Sequence, residues 1–237
     1  MTRVFITGDT HGYVDRSKLE SENWPVQNSL TKNDYLIIAG DTGIRWQNSR
    51  SDGSLTERDQ DMISWYSEKP FSTLFIDGNH DNHYALNSYP VMDWHGGKVH
   101  KLSNSVFHLM RGQIYSIGGR SYFTMGGAIS TDKYRRIEGE SWWPEEIPSE
   151  LELEEAITNL KRVNMTVDYV ITHCCGTSLL PCLLSFHYDS DELTVFFDQL
   201  EFTYKLSFEH WFFGHYHRDK TIDGKYTCLY NDIEEIT

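Results

Sequence analysis

Short apolar runs that end in Asp, Asn or His recur along this chain of 237 residues. A run of about four to eight apolar residues bounded by polar segments is typical of a strand that is buried on both faces. Such runs predict strands at residues 3–7, 35–39, 73–76, 169–172 and 210–213. The polar intervals between the first three leave room for crossover helices, so we expect these strands to be parallel.

Helical periodicity occurs in three of the intervals between these strands. Residues 57–68 place apolar side chains among charged neighbours, which predicts a helix. Ser149 and Glu152 form a capping-box pattern ahead of apolar residues at helical spacing. A further helix is predicted over residues 191–206, where apolar residues recur along one face.

The pattern changes to short strands in close succession between residues 98 and 127. Strands are predicted at 99–102, 106–110, 113–117 and 121–125. Gly118-Gly119 predicts a hairpin turn between the last two, because Gly accepts the positive φ of a two-residue turn. We expect this region to be antiparallel and a closing strand to follow at 225–229. This order of elements favours two packed sheets with helices outside.

The polar residues at the predicted strand ends are of types that bind metal ions. They are Asp9, His11, Asp41, Asn79, His80, His173, His215 and His217. Because the carboxyl ends of parallel strands lie along one edge of a sheet, residues far apart in sequence converge there. Carboxylate, amide and imidazole together suit borderline divalent ions such as Zn, Mn, Fe or Ni. The absence of thiolates argues against a purely structural zinc site.

The order of these blocks resembles the calcineurin-like metallophosphoesterase superfamily. The blocks are D-x-H from Asp9, G-D at Asp41, G-N-H-D from Gly78, a lone His173, and G-H-x-H ending at His217. The resemblance covers nearly the whole chain. It implies an α/β fold in which two packed mixed sheets lie between layers of helices, a four-layer αββα sandwich.

The resemblance also implies a site with two divalent metal ions. One ion would be held by Asp9, His11, Asp41 and His217. The other would be held by Asp41, Asn79, His173 and His215. Asp41 would bridge the two ions, and a hydroxide shared between them would attack phosphorus. His80 would stay free as the acid that contacts the phosphate and protonates the leaving group.

One position departs from the phosphoprotein-phosphatase branch of that superfamily. There, an acidic residue three positions after the bridging Asp orients the catalytic His, and a phosphate-binding Arg follows. Here these positions are Ile44 and Arg45. We therefore expect Arg45 to balance the phosphate, whereas His80 needs another partner, such as Asp81 or a backbone carbonyl.

Residues 130–148 form a long segment without a strand or long-helix pattern. Long ordered loops in compact domains are often functional. Lys133, Arg135 and Trp143 would grip a phosphate and stack on a ring if the loop selects substrate. The alternative is a lid of aromatic residues packed on the sheet, and the sequence leaves both open.

Charge and composition limit the partners. The formal net charge is −14, which disfavours long nucleic acid as a substrate. No charged segment followed by an apolar stretch opens the chain, and no apolar run is long enough for a membrane span. We expect no membrane association, a cytoplasmic protein, and a single domain over residues 1–237.

These features predict a dinuclear metal-dependent phosphoester hydrolase. Phosphomonoesters and phosphodiesters both remain open as substrates, as does the oligomeric state. Two alternatives are a catalytically degenerate member of the superfamily that serves as an interaction module, and a nuclease that acts on short oligonucleotides.

Overall fold

The structure is a computed structural model that describes residues 2–46, 54–185 and 189–236. In chain order its strands are β1 (Val4–Thr7), β2 (Tyr35–Ile38), β3 (Ser72–Phe75), β4 (Val91–Trp94), β5 (Gly97–Lys101), β6 (Val106–Leu109), β7 (Gln113–Ile117), β8 (Arg120–Met125), β9 (Tyr169–Thr172), β10 (His210–Phe213), β11 (Lys220–Ile222), β12 (Tyr226–Cys228) and β13 (Glu234–Glu235). The α-helices are α1 (Glu57–Glu68), α2 (His83–Asn87), α3 (Glu150–Arg162), α4 (Leu180–Leu183) and α5 (Glu192–Asp198).

These strands form two mixed sheets. The first sheet has seven strands in the order β13-β1-β2-β3-β6-β5-β4, and the second has six in the order β11-β12-β10-β9-β8-β7. β1, β2, β3 and β6 pair in parallel in the first sheet. β8, β9, β10 and β12 do so in the second. The predicted antiparallel region is divided: β5 pairs antiparallel with β6 in one sheet, and β7 with β8 in the other.

The two sheets pack face to face with helices on their outer faces. Alternate residues of a strand point to opposite faces, so Ile6 packs between the sheets, whereas Phe5 packs outside with Met62 of α1. On the other sheet, Ile171 points inward, and Val170 packs outside among residues of α3 and α5. The predicted four-layer αββα sandwich is confirmed.

Helix starts agree with the predicted capping signals more closely than helix ends do. Ser149 and Glu152 form the capping box of α3, and α1 has the predicted bounds. The predicted helix 191–206 is shorter than expected, because α5 ends at Asp198 and the chain continues as a π-helical segment, Gln199–Thr203. The strands that were not predicted, β4, β11 and β13, are short and largely exposed, so they have no apolar run to reveal them.

No helix in the described ranges is both long and apolar enough to cross a membrane.

Candidate metal centre

The ends of strands from both sheets meet at one edge of the sandwich. The loops after β1 and β2 are joined where the His11 backbone N–H donates to the Asp41 carbonyl at 2.8 Å. A hydrogen bond also joins the two sheets here: the His215 backbone N–H donates to Asp9 Oδ2 at 2.9 Å. Residues that are widely separated in sequence therefore share one site, as the parallel topology predicts.

Asp41 lies at the centre of this site. Its Oδ2 is 3.5 Å from His11 Nε2 and 3.3 Å from His173 Nε2, which approach from different sheets. Its Oδ1 accepts a hydrogen bond from the His80 backbone N–H at 2.8 Å. The side chain is almost completely buried. A buried carboxylate between two imidazoles is placed to share its oxygens with two cations.

The other predicted ligands surround Asp41. His217 Nε2 is 3.8 Å from Asp9 Oδ1, and His11 Nε2 is 4.0 Å from the same oxygen. On the opposite side, His173 Nε2 is 3.2 Å from Asn79 Oδ1, and the rings of His173 and His215 are 5.0 Å apart. The structure thus brings together all the residues predicted to bind metal.

Asp9 provides the clearest indication that a cation belongs here. Its Oδ1 is buried and has no hydrogen-bond partner among the residues that the structure describes. A buried carboxylate oxygen is costly unless it is paired or coordinates a metal. With His11 and His217, Asp9 forms a group of three nitrogen and oxygen donors within 4.8 Å of one another, and a second group joins Asp9, Asp41 and His173. These residues fit the implied metal ions.

Hydrogen bonds behind the site orient two of the imidazoles. His173 Nδ1 lies 2.7 Å from the Ala39 carbonyl oxygen, which can only accept, so Nδ1 carries a hydrogen. His11 Nδ1 lies 2.6 Å from Asp15 Oδ2 in the same way. Both rings therefore turn Nε2 toward the carboxylates, and this is how histidines that bind metal are usually held.

The backbone of the site is strained. His11, Asp41, His215 and His217 have φ values of 42°, 51°, 66° and 50°. The left-handed region costs an L-residue roughly 1–2 kcal/mol, and such residues cluster at functional sites. The fold therefore maintains an unfavourable local conformation at four of the predicted ligands.

Two glycines are required by close approach. A Cβ on Gly78 would lie 2.1 Å from Asp41 Oδ1, and one on Gly40, at φ +91°, would lie 2.2 Å from His173 Nδ1. Any side chain there would displace a predicted ligand. This explains physically why Gly precedes Asp41 in one block and Asn79 in the other.

The charges of the site favour bound cations. Burial opposes ionisation of Asp41, but the imidazoles of His173 and His80 hold the pKa of its carboxyl well below its usual value. Burial likewise opposes charging of His173, yet Asp41 raises the pKa of its imidazole to about 10. The buried carboxylate of Asp41 thus keeps a proton on the neighbouring ring of His173. A divalent ion that bound there would displace this proton.

Sequence comparison identifies the family of the chain. A model of the family described as calcineurin-like phosphoesterase matches residues 2–219. The chain belongs to this family. That match spans every block from Asp9 to His217, so the resemblance noted from the strand ends is confirmed.

Two further comparisons add little to the family assignment. A search of curated proteins finds no match to this chain. Among solved structures, it is similar to a phosphopantetheinyl hydrolase from Mycobacterium tuberculosis, with 17% identity and a TM-score of 0.42, over 97% of this chain and 89% of that chain. So low a similarity carries no information on substrate.

Arg45 is not exposed to a substrate. Its side chain is fully buried, and its NH1 lies 3.0 Å from Asp59 Oδ2 in α1. Ile44, at the position of the missing carboxylate, packs in the apolar layer beneath α1. The prediction that Arg45 balances the phosphate is corrected: the phosphoprotein-phosphatase pattern places an Arg here, but this Arg pairs with Asp59, which caps the start of α1.

We expect Arg45→Gln to reduce stability rather than substrate affinity. Removing one partner of a buried ion pair costs roughly 3–5 kcal/mol, because the other charge is left uncompensated. Urea unfolding measures this loss, and Arg162→Gln on the exposed face of α3 is the control, with an effect within about 0.5 kcal/mol. A raised KM with unchanged stability would instead show that Arg45 binds substrate.

The loop 130–148 reaches the site through Arg136, which no pattern in the sequence singles out. Lys133 and Arg135 are exposed, and their cations lie over Trp142 and Tyr134. Trp143 is completely buried, so the prediction that it stacks on substrate is corrected in favour of aromatic packing. Arg136 instead approaches His80, with NH1 3.0 Å from Nδ1.

Asp81 does not orient His80, although the sequence suggested it. Its Oδ2 accepts from the Gly78 N–H at 2.9 Å, and its Oδ1 accepts from Thr42 Oγ1 at 3.2 Å. Asp81 thus shapes the loop around His80. The ring of His80 itself is partly buried, and burial, opposed by Asp41 and reinforced by Arg136, lowers the pKa of its imidazole.

Proposed function

We propose that this protein hydrolyses phosphoesters with the help of two divalent cations. The observation that carries the proposal is the position of Asp41, buried between His11 from one sheet and His173 from the other. Asp9 Oδ1, which has no hydrogen-bond partner within residues 2–46, 54–185 and 189–236, supports the same conclusion. A carboxylate so placed can serve two cations at once.

The predicted ligands divide into two groups around Asp41. One cation would be held by Asp9, His11, Asp41 and His217. The other would be held by Asp41, Asn79, His173 and His215. Nitrogen and oxygen donors without thiolates suit Mn, Fe, Zn or Ni, and the donor set alone does not select among them.

Each component has a defined task in hydrolysis of a P–O ester bond. The bound cations would supply an activated water as nucleophile and compensate the charge of the phosphoryl oxygens. His80 lies beside Asp41 with its Nε2 4.0 Å from Asp41 Oδ2 and about a quarter of its side chain exposed. It can therefore hydrogen-bond to a phosphoryl or leaving oxygen of a substrate. Water adds to phosphorus and the leaving oxygen departs as an alcohol, so a monoester gives inorganic phosphate and a diester gives a phosphomonoester.

The substrate should be small or short. A net charge of −14 repels long polyanions, so long nucleic acid is a poor substrate. Arg136 brings the loop 130–148 next to the site, and the exposed Lys133 and Arg135 are available to larger substrates.

The cytoplasm remains the compartment we propose.

A substrate panel tests the proposal. Protein stripped of metal and then loaded with Mn, Ni or Zn is offered a nitrophenyl monoester, its bis ester, cyclic nucleotides, phosphopeptides and a short oligonucleotide. We expect turnover of at least one ester class that is lost with a chelator and restored by metal. Full metal loading without turnover of any ester would instead indicate a non-catalytic member of the family.

A further inference from the structure

Two aromatic contacts fix the plane of the His80 ring. Trp46 stacks on it with ring centroids 5.7 Å apart and an interplanar angle of 7°. The His11 ring packs edge-on at 5.9 Å. With its plane fixed, the ring can still flip about its bond to Cβ. Such a flip exchanges the edge that carries Nδ1 with the opposite edge. What contacts Nδ1 therefore decides how His80 faces the site.

Arg136 contacts Nδ1, and it is firmly held itself. Its NH1 is 3.0 Å from His80 Nδ1 and also donates to the Ser141 carbonyl at 3.1 Å. Its Nε and NH2 donate to the two carboxylate oxygens of Asp132 at 2.7 and 2.9 Å. Such a two-point pair fixes the guanidinium plane, so Arg136 is presented to His80 in one orientation.

The chemistry of arginine then determines where the hydrogen of His80 lies. A guanidinium stays protonated and has only donors. Nδ1 must therefore accept, so the ring hydrogen is on Nε2. We infer that Arg136 is a positioning residue that holds His80 with Nε2–H directed at the substrate position beside Asp41.

This arrangement is the reverse of what a carboxylate would produce. A carboxylate at Nδ1 would accept a hydrogen bond from it, whereas Arg136 donates a hydrogen bond to it. A ring that accepts at Nδ1 has a single hydrogen, on Nε2, and it keeps that hydrogen. His80 would then stabilise the charge that develops on a phosphoryl or leaving oxygen by donating a hydrogen bond, as other preorganised donors do. No proton changes place in this step.

The same loop orients the residue beside His80. Asn79 Nδ2 donates to Ser130 Oγ at 3.0 Å, which directs its Oδ1 toward His173. The Ser130 N–H in turn donates to the buried Glu146 at 2.9 Å. Residues 130–148 thus control a predicted metal ligand through Ser130 and the adjacent His80 through Arg136. The catalytic part of this inference rests on the proposed function, whereas the position of the ring hydrogen does not.

Nitrogen NMR of metal-free protein labelled at histidine tests the ring directly. His80→Asn identifies the signals of His80 by their loss. In the wild type we expect hydrogen on Nε2 and an unprotonated Nδ1. Arg136→Met, which removes the donor at similar length, should give a mixture of tautomers, and Arg136→Lys should keep Nε2–H. Arg135→Met removes the neighbouring cation that does not touch His80, so it should leave the His80 signals unchanged.

Kinetics of the metal-loaded protein add the catalytic readout. We expect Arg136→Met to lower kcat by about 10-fold to 100-fold, by analogy with the loss seen when partners that orient metal-binding histidines are removed, with little change in KM. Arg136→Lys should recover most of the loss. Asp132→Asn loosens the guanidinium without removing it, so it should lower kcat less, and it keeps the test usable if Arg136→Met fails to fold.

Each result decides a separate question. Hydrogen on Nδ1 in the wild type, or the same tautomer in Arg136→Met, would overturn the inference. A rise in KM without a fall in kcat would also overturn it, because Arg136 would then bind substrate directly. The expected tautomers without turnover of any ester would support the positioning role and overturn the proposed function.

Discussion

Asp41→Asn is expected to abolish hydrolysis and to reduce metal content below two equivalents. The substitution keeps the shape of the side chain but removes the charge that lies between His11 Nε2 and His173 Nε2. An amide presents one oxygen, and its NH2 group repels a cation, so a shared carboxylate cannot be replaced. The loss should exceed the roughly 10–100-fold effect of changing a partner behind a metal ligand.

Elemental analysis and a turnover assay on the same preparation test this prediction. Asp34→Asn is the matched control, because Asp34 is also buried but bonds to Arg3 and Thr31, far from the site in the fold. The control should retain both metal and turnover. Two equivalents of metal with unchanged activity in Asp41→Asn would contradict the bridging role.

His80→Asn is expected to keep both metal ions and to lower kcat by about 10²–10³-fold, the usual effect of removing one preorganised donor from a reaction site. The metal should stay because the His80 ring lies beside Asp41 and is not among the ligands of either proposed ion. If Nε2–H donates to the phosphoryl group, the loss should be similar for a nitrophenyl and an alkyl phosphate.

The comparison of leaving groups and the metal content separate three roles for His80. A larger loss for the alkyl phosphate would show that His80 transfers a proton to the leaving oxygen, because poor leaving groups need it most. A loss of one metal equivalent would make His80 a ligand, since its ring lies in a group of donors with His11 and Asp41. Nearly unchanged kcat would exclude all three.

The fold and the predicted ligands could be read from the sequence because they depend on local patterns. Each ligand follows an apolar run that forms a strand, and parallel pairing brings those strand ends to one edge. Gly78 and Gly40 belong to the same blocks because Asp41 and His173 lie against them. Chemistry and backbone requirements therefore coincide in these short motifs.

Arg136 and Trp143 could not be assigned in this way. The contact between Arg136 and His80 joins residues 56 positions apart, and no periodicity in the loop shows which cation faces the site. The sequence showed three cations close together, at 133, 135 and 136, and only tertiary packing distinguishes them. The burial of Trp143 likewise depends on tertiary packing, since a loop can fold its aromatic residues inward.

The prediction of a single domain remains a prediction.

The division of the proposed ligands between the two sheets has a consequence for the lifetime of the protein. Asp9, Asp41 and Asn79 follow strands of the first sheet, whereas His173 and His215 follow strands of the second. A cation bound by both groups would act as a cross-link at the edge where the sheets separate on unfolding. At 100 times its dissociation constant, a ligand that binds only the folded state adds about 2.7 kcal/mol to stability. When metal is scarce, the protein would lose this stabilisation as well as its activity. It would then unfold more often and be cleaved by proteases more readily.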